Sequence, residues 1–110
     1  MKERIVIPVY NKLVRDEIPR IIEGTGKRYR ASTVSGPELI GALQEKLFEE
    51  LQEFVESEHN LEELADLLEV IEALAHQLGS SLQEVMELKE EKRKKRGGFE
   101  KGLWLEWVED

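Results

Sequence analysis

The chain has 110 residues, the length of one domain, with 24 acidic against 16 basic side chains and a net charge of -8. That balance argues against a nucleic-acid polymer as partner, because duplex binding rests on phosphate neutralisation by Lys and Arg. A single nucleotide stays open, since a divalent cation bridges carboxylates to phosphates. The absence of Cys removes disulfides, thiolate metal sites and Cys nucleophiles together.

No apolar run approaches the ~18 residues of a membrane span. The N-terminal stretch MKERIVIPVYNK has too short an apolar segment for a signal peptide. The expectation is a cytoplasmic protein with no membrane partner, organised as a single domain over residues 1–110. A core this small makes oligomerisation a natural supplement.

Residues 1–12 read as extended or irregular, with β-branched Ile5, Val6 and Ile7 stopped by Pro8. Residues 13–23 read as a short helix, with Pro19 near its start or at a break because it lacks the N–H a helix interior needs. Gly24 and Gly26 close that segment. Residues 27–34 read as a short strand. Ser35 is a candidate N-cap and Pro37 suits a first turn, which opens a long amphipathic helix over about 38–58. His59 and Asn60 mark a tight turn into a second long helix, about 61–78, closed by Gly79. Ser81 and Glu84 have capping-box spacing for a third, about 82–96, ended by Gly97 and Gly98. Residues 103–108, with Trp104 and Trp107, read as a strand whose partner would be 28–34. The fold class expected is all-α. It is an antiparallel helical bundle with short N- and C-terminal strands, completed by oligomerisation, and the short turn makes the two long helices antiparallel neighbours.

The acidic residues do not scatter evenly over these helices. In the first long helix Ile40, Leu43, Leu47, Leu51, Phe54 and Val55 define an apolar stripe. With Glu50 at zero on a 100° wheel, Leu43 falls at about 20° and Leu39 at about -20°, so Glu50 lies inside the stripe. Glu53 follows at about -60°. The second helix repeats the pattern: Glu63 falls between Val70 and Leu74, with Asp66 at about -60°. Each helix thus presents an acid pair at i and i+3, which are neighbours on a helical surface. Packed antiparallel, the two pairs can converge, and four carboxylates at close range repel unless a cation sits among them. Oxygen-only ligands suit Mg²⁺, with Mn²⁺ as the alternative. The spacing alone also fits a solvated acidic face. The embedding of Glu50 and Glu63 among Leu and Val favours a site, because a buried unpaired carboxylate is costly.

At this point the sequence resembles a known family. Glu49-Glu50-Leu51-Gln52-Glu53 followed by Glu63-Leu64-Ala65-Asp66 is similar to the EExxE…ExxD signature of MazG-like all-α nucleoside triphosphate pyrophosphohydrolases. The wider superfamily includes phosphoribosyl-ATP pyrophosphohydrolases and dimeric dUTPases. Lys12-Leu13-Val14-Arg15-Asp16-Glu17-Ile18-Pro19 and Arg96-Gly97-Gly98-Phe99-Glu100-Lys101-Gly102 resemble a compact branch related to phosphoribosyl-ATP pyrophosphohydrolase-like proteins. The resemblance implies Mg²⁺-dependent hydrolysis of a nucleoside triphosphate to monophosphate and pyrophosphate, in the manner of enzymes that clear non-standard nucleotides. It implies Glu50, Glu53, Glu63 and Asp66 as metal ligands, and Glu49 as the residue that orients or deprotonates the attacking water. A phosphoribosyl-ATP pyrophosphohydrolase is the alternative substrate class, and a non-catalytic metal- or nucleotide-binding helical module the alternative outside enzymes. Nine residues separate Glu53 from Glu63, fewer than the family usually holds, which reads as a trimmed hairpin loop. Glu69, one turn beyond Asp66, is either a further ligand or a surface residue.

The basic residues are less specific. Lys89, Lys92, Arg93 and Arg96 share one face of the last helix. For Lys92 and Arg96 a catalytic contact to substrate phosphate competes with compensation of the helix dipole, and Lys94 and Lys95 read as solvated. Lys12 and Arg15 are candidates for phosphate binding or for structural salt bridges, and Asp16 for a cap or salt bridge. His59 and His76 read as loop and surface residues. Trp104 and Trp107 read as core or interface, with base stacking as the alternative. The partners expected are a nucleoside triphosphate and further copies of the chain, as a homodimer or homotetramer.

Overall fold

A computed structural model of the chain describes residues 7–110. It is all-helical, with α1 at Ile18–Gly24, α2 at Gly36–Glu56, α3 at Leu61–Gln77 and α4 at Leu82–Arg96. There is no strand among the described residues. No helix among them is long and apolar enough to cross a membrane.

The helix ends follow local chemistry. Ser35 holds the N-cap of α2 in an extended conformation, but its side chain makes no capping hydrogen bond. The first residue, Gly36, has φ +58°, a left-handed geometry that glycine tolerates immediately before Pro37. The α2–α3 reversal is made by Glu58 and His59, both at positive φ. It is stabilised by Asn60, whose side chain accepts the Glu62 N–H at 2.9 Å. The His59 ring packs 5.6 Å from that of Phe54, which holds the reversal against α2. At the far end of α3, Ser80 N–H reaches Ala75 O and Gly79 N–H reaches His76 O, the paired bonds of a Schellman motif, with Gly79 at φ +75°. Ser81 caps α4 by accepting the Glu84 N–H at 3.2 Å. The Glu84 carboxylate accepts from the Ser80 hydroxyl at 2.7 Å instead of closing the second half of a capping box.

Two expectations are corrected. The first helix begins at Ile18 rather than at residue 13, because Pro19 occupies the first turn and keeps the preceding chain out of a helix. The segments 28–34 and 103–108 form no strand. A strand needs a partner for its backbone groups, and neither segment meets one among the described residues; Trp104 and Trp107 are exposed. Of the N-terminal extended stretch, Ile5 and Val6 lie outside the described residues, while residues 7–12 carry no regular structure.

The hairpin of α2 and α3 is the structural centre, and α4 packs more lightly against α3. Its interior is small: Leu43, Val70 and Ala75 are the buried apolar residues, joined by one buried acid, Glu50. Leu47, Phe54, Leu67, Ile71 and Leu74 are half-buried, whereas Phe48, Leu51, Val55, Leu64 and Leu68 stand exposed on the same two helices. The radius of gyration is 19.7 Å, against about 13 Å for a compact domain of this length. The chain exposes 10813 Å², against about 6300 Å² for a compact monomer of its mass.

Candidate metal centre

The heptad-like spacing that makes α2 and α3 amphipathic also carries their acids inward. Glu50 shares the face of Leu43, and its side chain is 9% exposed. Glu63 enters from α3 on the face of Val70, with Asp66 one turn further along. Two trios of carboxylates result, each with oxygens within 4.8 Å of one another: Glu49, Glu50 and Glu53 along α2, and Glu50, Glu63 and Asp66 across the two helices. Glu50 belongs to both trios. The hairpin thus brings all four sequence-predicted ligands and Glu49 to one place.

Among the described residues, three cations answer these five acids. Lys46 Nζ lies 3.2 Å from Glu49 Oε1 and 3.3 Å from Glu50 Oε1. Lys12 Nζ donates to Glu49 Oε1 at 3.3 Å, and Arg15 donates to Asp66 Oδ1 at 2.6 Å. Lys46 went unread in the sequence, although its positions four residues before Glu50 and three before Glu49 are the ordinary helical ion-pair spacings.

The compensation is incomplete. Glu50 Oε2 and Glu63 Oε2 are buried without a hydrogen-bond partner among the described residues. At Glu50, whose side chain is 9% exposed, an acceptor left in this way costs about 1–3 kcal/mol. Burial, then the charges of Asp66 and Glu50, raise the Glu63 carboxyl above the ordinary carboxylate range. Hydrogen bonding to Glu50, burial and the neighbouring carboxylates do the same for Glu53. Glu49 goes the other way: its partial burial would raise it, but Lys46 and then Lys12 outweigh that and hold it low. Lys46 is held above its usual value, because Glu49 and Glu50 outweigh the burial that would lower it. Proton affinity is therefore pushed up at Glu53 and Glu63 and down at Glu49, which stays ionised and able to accept a hydrogen bond from water.

A divalent cation fits this donor set on the structure's own terms. The donors are all carboxylate oxygens, they converge from two helices, and Glu50 and Glu63 each keep one oxygen without a partner among the described residues. Other expected residues stand apart. Glu69 is exposed and joins neither trio. Lys92 and Arg96 are exposed on α4 and make no ion pair among the described residues, while their neighbour Arg93 pairs with Glu100 at 2.6 Å. Asp16 neither caps α1 nor pairs with a cation among the described residues; Glu17 holds the cap position and accepts from Arg20 at 2.7 Å. His76 lies 3.9 Å from Glu72 on the outer surface of α3. No protein-family model, curated protein or solved structure matches the chain.

Proposed function

We propose that the chain is a Mg²⁺-dependent nucleoside triphosphate pyrophosphohydrolase. The observation that carries the reading is the cross-helix convergence of Glu50, Glu63 and Asp66 within 4.8 Å, with a partnerless buried oxygen on Glu50 and another on Glu63. The resemblance of Glu49–Glu53, Glu63–Asp66, Lys12–Pro19 and Arg96–Gly102 to the MazG-like pattern supports the substrate class.

In this mechanism Glu50, Glu53, Glu63 and Asp66 would hold the cation, Mg²⁺ or Mn²⁺. Such a cation, when bound, polarises phosphoryl oxygens and lowers the pKa of a coordinated water. Glu49, kept ionised by Lys46, orients a water and accepts its proton at a carboxylate oxygen. Attack at the α-phosphorus breaks the bond to the bridging oxygen, so that nucleoside monophosphate and pyrophosphate leave. Lys12, Arg15, Lys92 and Arg96 are the cations available to the phosphates, and Arg15 offers a forked donor beside Asp66. Lys92 and Arg96 would act from α4 of the same chain or of a second copy.

A second copy also completes the fold in this reading. The chain exposes about 4500 Å² more than a compact monomer of its mass, more than the roughly 1000–2500 Å² per chain that an obligate dimer interface buries. Phe48, Leu51, Val55, Leu64 and Leu68 provide the apolar face. Pairing two hairpins through these residues makes a four-helix core, and a homotetramer extends the same principle.

The test is release of pyrophosphate from a panel of standard, deoxy and damaged nucleoside triphosphates, and from phosphoribosyl-ATP, with and without Mg²⁺. Turnover of some member is expected in the wild-type protein, with loss of about 10²-fold or more in Glu53→Gln, as for removal of one preorganised group. No turnover across the panel, or full activity in Glu53→Gln, overturns the assignment.

A further inference from the structure

Among the described residues, nearly every side-chain hydrogen bond is local, joining residues at most seven positions apart. The two exceptions are Lys12 to Glu49, across 37 positions, and Arg15 to Asp66, across 51. Both start in the irregular segment before α1, and both end on carboxylates of the acidic centre, one on α2 and one on α3. The segment has little other anchorage: from Ile7 to Glu17 only Leu13 is even half-buried. Arg15 is pinned at the backbone, where its carbonyl accepts the Ile18 N–H at 3.1 Å and so joins α1. Its guanidinium is more than half exposed, so it can leave Asp66 by side-chain rotation alone.

We propose that residues 12–15 form an exchangeable cationic strap. Lys12 and Arg15 neutralise Glu49 and Asp66 until a divalent cation takes charge of the centre, and the released side chains then bind the polyphosphate that arrives with the cation. The inference rests on the metal-centre reading above and adds to it a coupling between two ligands. Asp66 Oδ1 cannot fully serve Arg15 and a cation together, so the strap competes with the metal. Once displaced, Lys12 and Arg15 sit at the rim of the centre with their charge uncompensated, where an anion meets them. Metal and polyphosphate therefore help each other to bind, and the help is reciprocal. Lys46 plays a different part: its Nζ is shared between Glu49 and Glu50 on its own helix, and it stays in place.

The test is calorimetric titration of Mn²⁺ alone into the full chain at low ionic strength, followed by inorganic tripolyphosphate titrated into the Mn²⁺-loaded protein. The variants are Arg15→Gln and Lys12→Gln, with Arg20→Gln as a charge control away from the centre and Glu53→Gln as a control of the centre itself. Arg15→Gln is expected to tighten Mn²⁺ binding about two- to fivefold, the worth of a lost exposed ion pair. In the same variant tripolyphosphate binding weakens, and Arg20→Gln changes neither. A nitroxide placed through Tyr10→Cys, the single thiol of the chain, gains mobility on Mn²⁺ addition as the strap is released. If Mn²⁺ binds and Glu53→Gln abolishes it, but Arg15→Gln leaves Mn²⁺ affinity unchanged or weaker, the strap is overturned and the metal centre stands. If wild-type protein binds no Mn²⁺, the metal reading falls and the strap with it.

Discussion

Glu50 tests whether the acidic centre exists for a ligand or for the fold. Its side chain is 9% exposed, one of its oxygens is shared with Lys46 and the other has no partner. Replacing it by Leu removes a buried orphan acceptor, relieving about 1–3 kcal/mol. The same change removes the Lys46–Glu50 contact, whose loss is held to about 0.2–1 kcal/mol because the lysine, only 17% exposed, keeps a second carboxylate. Lys46 keeps Glu49 at 3.2 Å, so no cation is stranded. The balance favours Glu50→Leu by about 1–2 kcal/mol in EDTA, a rise in Tm of roughly 5–10 °C for a domain of this size. The wild-type protein in turn gains from Mg²⁺, by about 1.4 kcal/mol at ten times the dissociation constant, and the variant gains nothing. Thermal unfolding of both proteins at one fixed concentration, with EDTA and with Mg²⁺, reads the two effects separately. The opposite result is equally clear. If Glu50 is a structural partner of Lys46, its loss costs about 3–5 kcal/mol, as for a broken buried pair. A Tm that falls in EDTA while the Mg²⁺ increment persists would refute the metal-centre reading.

Further outcomes follow from the same geometry. Because Glu53 and Glu63 have proton affinities raised in the folded state, their contribution favours the fold below the unfolded carboxylate pKa and is lost as pH rises through their folded values. Cation binding needs both ionised, so Mn²⁺ affinity measured by calorimetry falls on acidification, beginning above the pH at which ordinary carboxylates titrate. Leu68→Glu, on the exposed edge of α3, is expected to shift the mass seen by light scattering from an oligomer toward the 12.8 kDa chain; a wild-type protein already at that mass would remove the second copy from the proposed fold. Asn60→Ala deletes the α3 N-cap bond and should cost about 1 kcal/mol in denaturant unfolding, with m unchanged.

Much of this was legible along the chain. Helical periodicity and turn residues locate α2, α3 and α4 to within about two residues, and the helical wheel by itself places Glu50 among core positions. Lys46 is equally legible as a helical neighbour of Glu49 and Glu50, at the ordinary ion-pair spacings. These features are local: a side chain's angular position on a helix depends only on residues within a few turns.

What only the tertiary structure decided is which distant groups meet. The hairpin crossing put Glu50 within reach of Glu63 and Asp66, and the path of the chain before α1 set Lys12 on Glu49 and Arg15 on Asp66. It also left 28–34 and 103–108 unpaired and kept Lys92 and Arg96 out of any ion pair among the described residues. A strand or an ion pair across many residues depends on where two segments arrive in space, which local propensity does not encode. The acidic centre divides along that line: periodicity alone determined that two acids on each helix face the apolar stripe, and the hairpin crossing decided that they converge on Glu50, with Lys12 and Arg15 closing over them.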